Sequence, residues 1–150
     1  MSAPANPSLS VVQSSSSVFE AVDSTNNQFF IKGALAGGLL KFTVVARLPS
    51  GQTGAVAGKE FFDAMMANFQ PNVRKIEAHW IAGIDLDTNI RQFNKWTGPS
   101  GANLSDRDAA KKTWTGQRAA GYQFNNVTIV FKDPPNAPGA YMEVIAHFSK

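Results

Sequence analysis

Residues 104–124, LSDRDAAKKTWTGQRAAGYQF, carry a helix start, an alanine-lined apolar stripe, a basic side and a glycine stop. Ser105 stands as N-cap with Asp108 three residues on, which resembles a capping box. Asp106 and Asp108 suit the positive end of a helix dipole, and Gly121 suits the position just past a helix end. The spacing therefore predicts one helix, followed by a strand over Val127–Lys132. Within it Thr113-Trp114-Thr115-Gly116 is the least ordinary tetrapeptide of the chain. Trp114 is expected to anchor the helix in the core, with the threonines bonding to backbone one turn earlier.

Working outward, Val73–Ile81 alternates: Ile76, Ala78 and Trp80 share one face, Lys75, Glu77 and His79 the other. Ile84–Trp96 reads as a turn and a short helix capped near Asp87 or Thr88, burying Leu86, Ile90 and Phe93. Lys59–Gln70 places Phe61, Phe62, Met65, Met66 and Phe69 on one broad helical stripe, closed by Pro71. Such a stripe is far more often core than a cofactor box. Phe29–Ala34 and Leu39–Leu48 read as a hairpin across Gly37-Gly38, and Tyr141–Phe148 as the last strand. The predicted order is β-β-α-β-α-α-β-β. Helices grouped between strands that alternate on one side argue an α+β fold: one domain over 28–150, an antiparallel-leaning sheet of about four to five strands with helices on one face. Residues 1–27, rich in Ser and Pro, read as a flexible leader with a short strand at Leu9–Gln13.

Composition narrows the chemistry. Among 150 residues there is no cysteine, which excludes disulfides, thiol catalysis and zinc-thiolate sites. His79 and His147 are the two histidines, and no HExxH-like spacing accompanies them; neither a metal nor a cofactor is expected. No apolar run is long enough for a membrane span, and Met1-Ser-Ala-Pro lacks the basic and apolar regions of a signal peptide. The chain thus reads as made in the cytosol without a cleavable signal, so secretion or injection into a target cell would need another carrier. Residues 28–150 hold all fourteen basic residues against nine of the eleven acidic ones, a net +5 that favours an anionic partner.

If helices cover the apolar face, the opposite face collects Lys41, Thr43 and Arg47, then Lys75, Glu77 and His79, then Thr128 and Lys132, and finally Tyr141, Glu143 and His147. Both histidines fall on it. Metal-independent RNA cleavage needs a base for the 2′-hydroxyl, an acid for the leaving 5′-oxygen and cations for the phosphorane charge. His79 and His147 are the candidate acid/base pair, with Glu143 or Glu77 orienting one of them. Arg47, Lys75 and Lys132 are candidates for phosphate, and Tyr141 for stacking on a base. A polar face of this kind also stabilises any antiparallel sheet without further function. Arg107, Lys111 and Arg118, spaced along the one predicted helix, with Arg91 and Lys95 on the preceding one, form a basic ridge that would suit phosphate or merely solvate the helices.

Asn72-Val73-Arg74-Lys75-Ile76, Trp80, Asn89-Ile90-Arg91-Gln92-Phe93-Asn94 and the run from Leu104-Ser105 through Thr113-Trp114-Thr115-Gly116-Gln117-Arg118-Ala119-Ala120 form a pattern. It resembles C-terminal modules of bacterial polymorphic toxins of the Rhs and filamentous-haemagglutinin kinds, over roughly residues 59–130. The resemblance implies a secreted or injected effector neutralised by a cognate immunity protein; it assigns no catalytic residue. The element order is also similar to barnase-like ribonuclease toxins, as a fold analogy. The expectation is a small metal-independent ribonuclease toxin. A mono-ADP-ribosyltransferase using Arg47 and Glu143, though without the Ser-Thr-Ser strand of that class, and a non-catalytic binding or structural module are the alternatives.

Overall fold

The described residues form seven strands, most of which alternate buried and exposed side chains, and four helices. The computed structural model describes residues 6–83, 87–99, 101 and 103–150, in two units that divide between Val73 and Arg74. The fold is mixed α+β, as expected. Leu86, expected in the core, lies outside the described residues.

In the first unit β1 (Leu9–Ser14), β2 (Val18–Asp23), β3 (Asn26–Ala36) and β4 (Leu39–Val45) form an antiparallel meander. Two of these strands come from the segment expected to be a leader. β2 owes its place to Phe19 and Ala21, which alternate into the core and pair with β3, so residues 18–23 bury too much to stay loose. β1 is solvent-exposed along most of its length and is held by its ladder to β2. Gly37 and Gly38, both with positive φ, close the β3–β4 hairpin in a conformation that side-chain-bearing residues resist.

The helix α1 (Gly58–Phe69) lays Phe61, Phe62, Met65, Met66 and Phe69 against this meander. Removal from water stabilises the fold by roughly 1.5–3 kcal/mol for each such side chain. Phe62 meets Phe42 edge-on at 5.4 Å, and a Cβ on Gly33 would stand 2.6 Å from Met65 Sδ, so the helix crosses β3 where it has no side chain. The buried Asp23 carboxylate ties the end of β2 to the approach to α1. It accepts bonds from the Thr25 amide and hydroxyl and from the amides of Ala55 and Val56. The Thr25 hydroxyl, helped by these amides and opposed by burial, holds this carboxyl below its ordinary pKa.

In the second unit β5 (Lys75–Ile81) pairs with β7 (Glu143–Ser149), which pairs on its other side with β6 (Asn126–Asp133), all antiparallel. Ile76, Ala78 and Trp80 of β5 and Val144, Ala146 and Phe148 of β7 make the apolar side. Trp80 packs on Phe93 at 5.9 Å and Phe93 on Tyr141 at 5.6 Å, bringing α2 (Thr88–Thr97) onto that side. Asn94 of α2 clamps the chain before β7, its side chain bonding both the amide and the carbonyl of Tyr141.

The single helix predicted over residues 104–124 is two: α3 (Asp106–Lys111) and α4 (Trp114–Ala120). Thr113 explains the break. Its hydroxyl donates to the Ala110 carbonyl at 2.7 Å, ending α3, and accepts from the Gly116 amide at 3.0 Å, starting α4. Gln92 and Asn89 of α2 take the next free amides, those of Trp114 and Thr115, at 2.6 and 2.9 Å. A Cβ on Gly116 would run into the Ala110 carbonyl, so glycine lets α4 close onto α3. Ser105 caps α3 through the Asp108 amide, as expected. Gly121 ends α4 in a right-handed conformation (φ −61°); the left-handed residue in this turn is Gln123.

Candidate functional site: two histidine–glutamate pairs on an open sheet face

Because side chains alternate across a strand, Lys75, Glu77, His79 and Ile81 of β5 point away from the core, as do Glu143, Ile145, His147 and Ser149 of β7. The register sets Glu77 opposite His147, His79 opposite Ile145 and Ile81 opposite Glu143. His147 Nε2 lies 2.9 Å from Glu77 Oε1, a direct cross-strand pair. His79 Nε2 lies 2.5 Å from Glu143 Oε2, reaching diagonally along β7. His79 and His147 are themselves diagonal neighbours, which in sheet geometry separates their backbones by about 7–8 Å. All four candidate catalytic residues therefore share one patch.

An ionised carboxylate only accepts hydrogen bonds, so each glutamate selects the ring tautomer that carries its proton on Nε2 and leaves Nδ1 as the proton acceptor. The pairs differ in exposure: the His147 and Glu77 side chains are 22% and 19% exposed, those of His79 and Glu143 45% and 35%. The His147–Glu77 pair is thus the more enclosed and the His79–Glu143 pair the more accessible. Among the described residues no group of three or more His, Asp or Glu is placed to hold a metal ion.

Several expected members lie elsewhere. Lys132 leaves the face because β6 shifts register between Ile129 and Phe131. With one extra residue in the strand, Lys132 comes opposite the core-facing Val144 and Phe131 opposite the outward Ile145. The Lys132 ammonium then bonds Asp106 of α3 at 2.6 Å and stands 5.1 Å from the centre of the Tyr141 ring. The Asp106 bond, against the opposing effect of burial, raises its pKa above the ordinary lysine value. Tyr141 is 2% exposed and packs on Phe93, so it cannot stack on a ligand from the open face. Arg47, just past β4 in the first unit, belongs to an isolated bridge with Thr53. Lys75 does stand on the open face, exposed and opposite Ser149.

The predicted ridge is divided. Arg107 and Lys111 are exposed on α3, whereas Arg118 belongs to α4 and lies 5.7 Å from the Trp114 ring. Arg91 is paired with Asp87 at 2.7 Å.

The residue that sequence reasoning missed is Phe131, 44% exposed on the histidine face beside Ile145. Strict alternation from Val127 puts residue 131 on the core side. A bulge within an otherwise regular strand has no local signal here, with neither glycine nor proline to mark it. Comparison with family models, curated proteins and solved structures returns no match for this chain.

Proposed function

We propose that this chain is a metal-independent endoribonuclease, acting as the effector domain of a bacterial toxin and restrained by a cognate immunity protein. The observation that carries the catalytic reading is the placement of both histidines on one open face, each bonded to its own glutamate. One imidazole takes the 2′-hydroxyl proton of the substrate through Nδ1. The 2′-oxygen then attacks the adjacent phosphorus, forming a 2′,3′-cyclic phosphate as the P–O5′ bond breaks. The second histidine, protonated, gives its proton to the departing 5′-oxygen. Each glutamate stabilises its imidazolium while that charge exists. Lys75 supplies positive charge at the end of the patch, and Phe131 supplies a surface on which a base stacks. The toxin assignment rests on the motif resemblance over residues 59–130.

The test is incubation of purified protein with total RNA in EDTA. Degradation to fragments ending in cyclic phosphate and 5′-hydroxyl is expected, and His79→Gln or His147→Gln each lowers the rate by about 10²–10⁴-fold. RNA left intact by the folded wild-type protein, or cleavage indifferent to loss of both histidines, sinks the reading.

A further inference from the structure

The second unit contains three tryptophans, and the structure uses them differently. Trp80 is core. Trp96 and Trp114 are only partly buried, and each lies under cations: Lys95 and Lys112 stand 5.1 and 4.9 Å from the Trp96 ring, Arg118 5.7 Å from the Trp114 ring. These residues belong to three helices that meet at one junction. Asn89 and Gln92 of α2 hold the first amides of α4, and Trp96 continues the same stripe of α2 one turn further on. Lys112 caps α3, and its ammonium at the break between α3 and α4 stands over the Trp96 ring of α2.

A purely structural role leaves part of this arrangement unexplained. Lys95 and Lys112 are exposed, and among the described residues neither has an ion pair, whereas Arg91 and Lys132 nearby in sequence or fold each have a carboxylate. Two ammonium groups share one indole, whose face attracts each of them but offsets their mutual repulsion only in part. An anion between them removes that repulsion, and as the ammonium groups turn to it the indole faces they cover are freed for a flat ring. Alternating phosphates and base faces are what single-stranded nucleic acid presents.

We propose that the α2–α3–α4 junction binds single-stranded nucleic acid, with bases stacked on Trp96 and Trp114 and phosphates held by Lys95, Lys112 and Arg118. The site lies on the helical layer, apart from the histidine face, and takes only its choice of RNA over DNA from the ribonuclease reading. It would hold a long substrate at a place other than the one being cut.

The probe is a fluorescently labelled 2′-O-methyl oligouridylate, which cannot be cleaved because its 2′-oxygen is blocked. Binding is followed by anisotropy over a range of salt. Lys95→Gln/Lys112→Gln, exposed changes that leave the fold intact, is expected to reduce the slope of log affinity against log salt by about 1.4, two single-strand phosphate contacts. Trp96→Leu is expected to weaken binding by about fivefold or more at fixed salt. Unchanged affinity and slope in the double lysine variant overturn the proposal. So does failure of the oligonucleotide to bind while phosphatidylserine vesicles do, which would make the patch a membrane contact. A protein that binds the probe but leaves natural RNA uncut refutes the catalytic reading alone. One that cuts RNA while its binding ignores these residues refutes this proposal alone.

Discussion

The Lys132 ammonium lies 2.6 Å from the Asp106 carboxylate and joins the edge strand β6 to the first turn of α3. The lysine is thus part of the scaffold that holds the helices against the sheet. Its side chain is 23% exposed and that of Asp106 29%, so removing either partner strands the other in a poorly solvated place.

Lys132→Met is expected to cost about 1–3 kcal/mol of stability, read as a shift in the urea midpoint at neutral pH. Folding raises the lysine pKa, so its contribution is complete below the unfolded value and fades as pH rises through the folded one. The gap between wild type and variant should accordingly close in strongly alkaline solution. RNA cleavage by the folded variant should match wild type. A large loss of activity without loss of stability would restore Lys132 to the phosphate site.

Asp23→Asn should lower the melting temperature at neutral pH, since the carboxylate accepts four bonds, two from Thr25 in the turn after β2 and two from Ala55 and Val56 that fasten β2 to the segment before α1. The folded pKa lies below the unfolded one, so this stabilisation is present above the unfolded value of about 3.9 and is lost as pH falls through the folded value. Melting curves taken from neutral to acid pH should converge for wild type and variant. Parallel curves down to the acid limit would show that the carboxylate charge contributes nothing.

Gly116→Ala and Gly121→Ala separate packing from helix propensity. A Cβ at 116 runs into the Ala110 carbonyl and comes within 2.8 Å of the Lys111 Cα, all backbone that must shift. The expected cost is about 1–3 kcal/mol. Gly121 has right-handed φ, and its nearest contact is the Arg118 carbonyl at 3.3 Å, so alanine there should be tolerated. Equal effects at both positions in urea denaturation would contradict the close α3–α4 approach.

Phe131→Ala tests the role of the bulge. The ring is exposed, so stability should change little, while loss of a stacked base should raise KM for a dinucleotide substrate by about 5–100-fold. A change confined to kcat would remove the ring from substrate binding. A KM matching wild type would do the same.

Much of this was legible along the chain. The period of β5 and β7 placed Glu77, His79, Glu143 and His147 away from the core before any contact was known, because side-chain direction in a strand is local. The apolar stripe of α1 was readable for the same reason. The polar run of α2 was not: Asn89, Gln92 and Asn94 had no assigned partner in the sequence and hold α4 and the chain before β7. Their partners lie more than twenty residues away, so no local pattern could name them.

Taken alone, then, the sequence determined the α+β class and the sidedness of β5 and β7, since both follow from the two-residue and 3.6-residue periods of neighbouring side chains. The tertiary structure decided the rest of the site. Register chose Glu77 for His147 and Glu143 for His79, one extra residue in β6 exchanged Lys132 for Phe131, and Thr113 divided a helix in two. Each of these turns on which distant backbone offers a partner, and only the folded chain brings that partner within hydrogen-bonding reach.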